Sequence, residues 1–429
     1  FTIPLVIGNL FQLLYNAVDS MIVGKFVGET ALAAVGTSSP LMTLAILFIS
    51  GMCMGASVLM SSQYGAKDYD TLSRQISTTM LAGCGFSVVF SLLMLLLANP
   101  VLRLIRVPET AIPEAAAYLR IIFMGLIFTF MYNFLANTMR ALGDSKTPLY
   151  FLVTSAFLNI FGDLFFVVVL RWGVAGSAIA TVCSEGLCCL LCGIYIKKKI
   201  PLLCLGKKWW VFDKSLLGKT VSYGSTSAMQ QVCLQLGKLI IQSVVNTQGV
   251  AVMAAFTAVN RVDDFAYTPQ QNIGHAMTTF LAQNKGAGHK ERMKKGFQTG
   301  LLIELVYSVG LFCVIWGLAP QIMTLFAEDG DAQVVSLGIS YLHLISWMYI
   351  LPGLTNGVQG FFRGIGDLKV TLYSTFMNMF GRVVAVFVMI RLLQMEFASL
   401  AWANMVGWIV MLLFEVPLLV KSMRNGECG

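Results

Sequence analysis

Residues 140–170 read RALGDSKTPLYFLVTSAFLNIFGDLFFVVVL, and this stretch decides the fold. Its apolar part, Pro148–Leu170, exceeds the roughly 20 residues that a helix needs to cross a bilayer. Asn159 and Asp163 lie near its middle. They are four residues apart and share one helical face, with Ser155 a turn earlier. A carboxylate at the centre of a membrane helix costs about 2.5–3.5 kcal/mol on insertion scales. An acid kept there marks a functional site.

The same stretch occurs twice. Arg140-Ala-Leu-Gly-Asp-Ser-Lys-Thr-Pro-Leu-Tyr150 aligns with Arg363-Gly-Ile-Gly-Asp-Leu-Lys-Val-Thr-Leu-Tyr373, with six of eleven positions identical. After a deletion of four residues, about one helical turn, Ser155-Ala-Phe-Leu-Asn-Ile-Phe-Gly162 aligns with Ser374-Thr-Phe-Met-Asn-Met-Phe-Gly381. Weaker echoes link Gln63-Tyr-Gly-Ala66 with 283–287 and Gly28–Ala34 with Gly249–Ala255. In this register Ser155 and Asn159 keep counterparts in Ser374 and Asn378, whereas Asp163 faces Arg382. A cation site in the first repeat therefore has no expected twin at the matching place in the second.

The remainder of the chain has the same character. Of 429 residues 57% are hydrophobic and only 12% are charged, against about 25% in a soluble domain. Twelve apolar segments are expected near 2–23, 30–62, 76–98, 115–139, 148–170, 174–196, 216–246, 249–283, 297–318, 333–361, 369–391 and 397–420. Several exceed the bilayer thickness and must tilt, kink or extend beyond it. The duplication divides them into an N-lobe over 1–200, a linker over 201–215 and a C-lobe over 216–429. Six helices per lobe give both repeats the same orientation, related by a pseudo-two-fold axis along the membrane normal. The chain opens at Phe1, so a short preceding piece is expected.

The net charge of +8 is explained by topology and requires no nucleic acid. One set of alternate loops holds Lys67, Arg74, Arg140, Lys146, Lys197–Lys199, Lys207, Lys208, Lys214, Lys219, Lys285, Lys290, Arg292, Lys294, Lys295, Arg363, Lys369, Lys421 and Arg424. The opposite set holds Lys25, Arg103, Arg106, Arg171 and Arg391. The positive-inside rule then puts both termini in the cytoplasm. Ten cysteines are scattered through apolar runs. Cys189-Leu-Leu-Cys192 has neither a second pair nor a nearby His, so it reads as small buried residues and not as a metal or redox site.

In the first lobe Asp19, Asn133, Asn159, Asp163 and Thr181 are the intramembrane polar groups. If their helices pack as a bundle, two carboxylates and several neutral oxygens converge. That set suits Na⁺ by oxygen ligation, or H⁺ because like charges in a low-dielectric site favour protonation of one of them. In the second lobe Asn260-Arg-Val-Asp-Asp264 precedes Tyr267, Pro269, Gln271 and His275. Pro269 is expected to break its helix in mid-membrane and free backbone carbonyls. Asp263 or Asp264 could meet a cationic substrate, or one of them could pair internally with Arg261. Gln230, Gln231, Tyr349 and Asn356 complete a candidate substrate cavity. Glu185, Glu304 and Glu415 are intramembrane or nearly so, with no role assigned. Gly24/Gly28, Gly51/Gly55, Gly353/Gly357 and Gly360/Gly364 are small-xxx-small pairs that allow close helix approach.

Together these motifs carry a family likeness. Pro4, Gln12, Tyr15-Asn16, Asp19 and Val23-Gly24 on the first helix, Gln63-Tyr-Gly-Ala, Arg140-Ala-Leu-Gly-Asp, Asn159 with Asp163, and Gln283-Asn-Lys-Gly-Ala-Gly resemble the multidrug and toxic compound extrusion (MATE) family, over almost the whole chain. The resemblance implies an all-α membrane protein of twelve transmembrane helices in two pseudo-symmetric lobes forming a V. It implies secondary active efflux of bulky, often cationic organic compounds by antiport against Na⁺ or H⁺, with no other cofactor. It places the cation on Asp19, Asn159, Asp163 and Thr181, lines the same chamber with Tyr118, Asn133 and Ser155, and makes Pro4 a point of helix bending. Some branches carry a coupling acid on the seventh helix. Here Gln230, Gln231 and Gln235 stand there, which loads the task onto Asp19 and Asp163.

The expectation is a monomer in the bacterial inner membrane whose partners are small organic molecules and lipids. A lipid-linked precursor flippase is the alternative. It favours a strongly cationic cavity, for which only Lys238, Arg261 and Arg382 are available. An intramembrane enzyme is disfavoured, since His275, His289 and His343 form no catalytic motif.

Overall fold

A computed structural model describes residues 2–27, 29–104, 107, 109, 112–200, 210–326, 332–393 and 397–424. Among them no strand occurs and the chain is helical almost throughout. The helices are α1 (Thr2–Phe26), α2 (Glu29–Gly65), α3 (Tyr69–Leu104), α4 (Ile112–Met124), α5 (Leu126–Ala141), α6 (Lys146–Asp163) and α7 (Gly173–Lys199). They continue as α8 (Lys214–Val245), α9 (Val250–Gly286), α10 (Lys290–Phe326), α11 (Ala332–Ser346), α12 (Ile350–Ile365), α13 (Leu368–Val386) and α14 (Ser399–Arg424).

Among the described residues, eight helices are long and apolar enough to span a membrane. The pair α4 and α5, bent by 45°, makes a ninth. The bend falls at Gly125, where a Cβ would lie 2.4 Å from Val182. The remaining spans are α1, α8 and α9. The last two dilute their hydrophobicity with Gln230, Gln231, Asp263 and Asp264, so the helices that look least like membrane spans carry the polar residues. Counting α11, its short 3-10 turn (Trp347–Tyr349) and α12 as one span, the total of twelve agrees with the sequence reading. α2, α9 and α10 have 37 residues each, about 55 Å of helix against a hydrocarbon core of about 30 Å.

The chain forms two compact units, one over Ile3–Ala228 and one over Met229–Gly429. In the first, α2 meets the early part of α8 backbone to backbone. A Cβ on Gly51 would lie 2.4 Å from Ala228 Cα, and one on Gly55 2.4 Å from the Tyr223 carbonyl oxygen. In the second, Gly360 approaches the Gly274 carbonyl, so α12 and α9 also pack with almost no side chain between them. The Gly51/Gly55 and Gly360/Gly364 pairs thus work as expected. Gly28, and with it the Gly24/Gly28 pair, lies outside the described residues, as do the side chains of Tyr15 and Asn16.

Each repeat ends its fifth span in six residues of π-helix, Leu164–Val169 and Phe387–Leu392. The first begins immediately after Asp163. π-Helical turns are uncommon and concentrate at functional sites.

One expectation is corrected. Pro269 does not break α9, which runs unbroken through it from Val250 to Gly286. Proline removes one N–H and crowds the carbonyl four residues earlier, but neighbouring helices can support the backbone there. Here the Tyr307 hydroxyl donates to the Ala266 carbonyl (3.1 Å).

Of the linker, 201–209 lie outside the described residues, while 210–213 dock on the start of α3. Val211 N–H donates to Ser77 Oγ (3.1 Å), and Asp213 N–H donates to Thr78 Oγ1 (3.0 Å). Asp213 also caps α8 by accepting from the N–H groups of Ser215 (2.8 Å) and Leu216 (3.2 Å), and it pairs with Arg74 at 2.5 Å. The Leu216 bond, the Ser215 bond and Arg74 together hold its carboxyl below the usual Asp range. A depressed pKa stabilises the folded clamp above the ordinary Asp range and loses that stabilisation as pH falls through the lowered value. Asp213→Ala is therefore expected to speed tryptic cleavage of the linker lysines at neutral pH, where trypsin is active and the wild-type clamp carboxylate is ionised. Equal cleavage rates at neutral pH would show that the clamp does nothing.

Candidate functional site

The first unit gathers its polar residues by simple helical geometry. On α6 and the π-helical turns after it the stripe Ala156, Asn159, Asp163 and Val167 is buried, while Phe157 and Phe161 on the other face are exposed. Small residues bring α7 close. A Cβ on Gly162 would lie 3.0 Å from that of Ala180, and one on Gly176 3.1 Å from the Phe166 backbone. This contact sets Ser177 and Thr181 of α7, one turn apart, opposite Asp163 and Asn159. α1 is held against α6 by Gly8, whose Cβ would touch Leu152 at 3.2 Å. It is held against α4 and α7 by Val23, which packs in a cluster with Tyr118, Ile122, Val174 and Ala178.

Within this frame Ser177 Oγ donates to Asp19 Oδ1 (2.7 Å), and Asn159 Nδ2 donates to Thr181 Oγ1 (3.2 Å). Asp163 is 0% exposed and lies within Coulombic and hydrogen-bonding reach of Asp19. Neither of its oxygens meets a donor in the protein, and Asn159 Oδ1 meets none either. Three buried acceptors beside a second carboxylate are an unbalanced set. Two carboxylates in contact need a proton or a cation between them. An oxygen-only donor set of this kind accommodates Na⁺ or H⁺ without further protein groups.

All four residues expected to hold the cation are thus brought together. Ser177 joins them, and its signal was legible, since it lies four residues before Thr181 on the same face. Tyr118 forms part of the apolar wall, with its hydroxyl near Met42 Sδ (3.9 Å). Ser155 is half-buried on α6. Asn133 donates to the Thr129 carbonyl of its own helix (2.8 Å), and Thr129 Oγ1 donates to Glu185 Oε2 (2.5 Å). Glu185, one turn beyond Thr181, therefore extends the polar stripe of α7. Pro4 lies on α1 and is half-buried.

The second unit answers the same needs from within. Asp263 is 3% exposed and accepts from Tyr349 (2.6 Å) and Tyr341 (2.9 Å), and Asn404 Nδ2 donates to the Tyr341 oxygen (2.9 Å). Arg382, the counterpart of Asp163 in the repeat, lies within Coulombic reach of Asp263. Where the first repeat needs an outside cation, the second carries its own guanidinium. Tyr267 packs edge-to-face against Tyr349 and Trp408 beside this cluster. Asp264 pairs with Lys238 (2.9 Å) at a half-exposed position. Arg261 thus takes neither of the pairings suggested by its place in the sequence, because Lys238 comes from a neighbouring helix.

Gln230 donates to Gln359 Oε1 (3.1 Å) and Thr375 Oγ1 (3.0 Å), and Gln359 Oε1 also accepts from Arg363 (2.7 Å) beside Glu415. This spends Gln230 on a buried network. Gln231 is half-buried on α8, and Asn356 donates to the Pro352 carbonyl of its own helix (2.9 Å). Tyr341 and Asn404 had no sequence signal as partners around Asp263, because they come from helices far apart in the chain.

The MatE family model matches residues 4–165 and 227–388, one segment in each repeat. The chain is 31% identical over 375 residues to Probable multidrug resistance protein YpnP from Bacillus subtilis (strain 168), covering 87% of this chain and 83% of that protein. It is 30% identical over 389 residues to Probable multidrug resistance protein YoeA from the same organism, covering 89% and 82%. Among solved structures, a MATE protein in complex with MaL6 superposes with a TM-score of 0.93 over 99% of this chain and 95% of that one. Its sequence identity of 22% makes that likeness a statement about fold alone.

Proposed function

The chain belongs to the MatE family, and from that premise we propose that it is a multi-pass membrane exporter of small organic compounds, bulky and often cationic, driven by an inward cation. The relatives' names, as probable multidrug resistance proteins, supply the multidrug class. One observation carries the coupling half of the reading: buried Asp163 lies beside Asp19 with both of its oxygens, and that of Asn159, lacking donors. Asp19, Asn159, Asp163 and Thr181, with Ser177, would hold the ion, and the ion supplies the missing positive charge.

Antiport by alternating access requires cation and drug to favour opposite states, since a ligand indifferent to state drives nothing. The oxygen groups around Asp163 come from three helices, α1, α6 and α7. Filling the site draws these helices together, and emptying it leaves two carboxylates in repulsion. The cation thereby acquires a preference for one arrangement. The lysine-rich loops orient both termini to the cytoplasm of a bacterial plasma membrane.

The deciding experiment uses sealed vesicles containing the full chain, loaded with a fluorescent lipophilic cation. Na⁺ and pH gradients are imposed separately. Dye movement driven by one of them identifies the coupling ion, and no movement under either overturns the proposal.

A further inference from the structure

The second unit holds an acid for which coupling at Asp163 has no use. Glu304, midway along α10, is 0% exposed, and neither of its carboxylate oxygens meets a donor. Gln270 of α9 lies beside it. Its Nε2 donates to Ser308 Oγ (3.1 Å) and to the Tyr349 carbonyl (2.8 Å), while its buried Oε1 has no donor. Ser308 Oγ donates to the backbone carbonyl of Glu304 itself (2.7 Å), so its proton is spent. These groups converge over Gly353 of α12. A Cβ there would lie 2.9 Å from Ser308 Oγ, 3.2 Å from Gln270 Nε2 and 3.4 Å from Glu304 Oε2. The cradle exists because residue 353 has no side chain.

Among the described residues no cationic side chain is seen at this cradle. α9 contributes Gln270, α12 contributes Gly353, and the 3-10 turn contributes the Tyr349 carbonyl, the Tyr349 hydroxyl being engaged by Asp263. Tyr307 on the same helix is within Coulombic reach, but its hydroxyl donates to Ala266. His343 of α11 stacks on Trp316, about three turns further along α10. An ionised carboxylate without donor or counter-charge costs several kcal/mol in a protein interior. Glu304 therefore needs one positive charge, and a divalent ion would leave an excess.

The chemistry repeats that of the first unit. There Asn159 donates to the hydroxyl of Thr181, which leaves its amide oxygen and the Asp163 carboxylate without donors. Here Gln270 donates to the hydroxyl of Ser308, with the same remainder. The helices differ: α1, α6 and α7 build the first set, and α9, α10 and α12 build the second, so the two are not related by the repeat. We propose that Glu304, Gln270, Ser308 and the Tyr349 carbonyl form a second monovalent-cation site, for one proton or one Na⁺, separate from the Asp19–Asp163 site. A proton on Glu304 would neutralise its carboxyl. Na⁺ would instead take the oxygens directly.

The test uses the full chain in an Asp163→Asn background, with and without Glu304→Gln. If the ligand is a proton, the infrared carbonyl band of a protonated carboxylic acid is present at neutral pH and diminishes when Glu304→Gln is added, with or without Na⁺. If it is Na⁺, replacing K⁺ by Na⁺ at constant ionic strength raises the Tm of the background protein, and Glu304→Gln abolishes the rise. An identical band and no Na⁺ response in both proteins overturn the proposal. If the double variant yields no folded protein, Asp163→Asn/Gly353→Ala keeps the acid and puts a methyl group in its cradle. A shifted band or a weakened Na⁺ response then supports the site, and the absence of either change rejects it. Because Asp163 is already neutral in every sample, failure here leaves the reading of the first unit standing, while that reading fails separately in transport.

Discussion

Asp163→Asn is expected to lower gradient-driven export in vesicles by more than about tenfold, while folded yield and Tm stay at or above those of the wild type. The factor follows if the cation's preference between states is worth at least about 1.4 kcal/mol, because neutralising the acid removes that preference. The stability follows from the same geometry. Asp163 has no donor in the protein to lose, and the substituted amide is neutral and can donate to Asp19. Burial then costs less than before, since no charge is desolvated. Export at the wild-type rate would remove Asp163 from the coupling site. A collapse of folded yield would make it structural instead.

At the matching place in the other repeat the opposite result is expected. Arg382→Met should destabilise the fold by about 1–3 kcal/mol, the scale of a Coulombic interaction beyond contact distance in a protein interior. Asp263 keeps its two tyrosine hydrogen bonds but loses the guanidinium that offsets its charge. A double-variant cycle separates this from lost packing. Adding Asp263→Asn to Arg382→Met should recover most of the loss, because the uncompensated charge is then gone. The readouts are Tm and the folded fraction after detergent extraction. If Arg382→Met leaves both unchanged, or if Asp263→Asn adds further loss, the internal cation assigned to the second unit is wrong.

These contrasting variants rest on a repeat that is legible in the residue order alone. The alignment of Asp163 with Arg382 depends only on identities close in the chain, and so does the shared face of Asn159 and Asp163. Hydropathy and spacing also located the twelve spans and the glycine pairs, including Gly51 and Gly55, which meet the backbone at Tyr223 and Ala228. Ser177 could have been found by extending the α7 stripe one turn back from Thr181. The likeness to known exporters brought Asp19 and Thr181 to Asp163, a pairing that no local pattern contains.

Other features had no such signal. Pro269 reads as a breaker, yet α9 runs through it, and Tyr307 of another helix donates to the nearby Ala266 carbonyl. Asp263 reads as a substrate contact or a partner of Arg261, yet Tyr341, Tyr349 and Arg382 surround it. Glu304 reads as one of three unassigned acids, and only the packing of α9 and α12 shows that it lacks every partner.

By itself, then, the sequence determined the membrane class, the duplicated architecture and the polar face of the fifth span. Insertion energy and helical period act over neighbouring residues and leave their mark directly in the residue order. Only the tertiary structure decided which buried charges are answered from within and which are not. Asp263 accepts from two tyrosines with an arginine within Coulombic reach, while Asp163 and Glu304 meet no donor. That distinction depends on groups from several helices arriving within a few ångströms of one another, and no periodicity along a single helix encodes it.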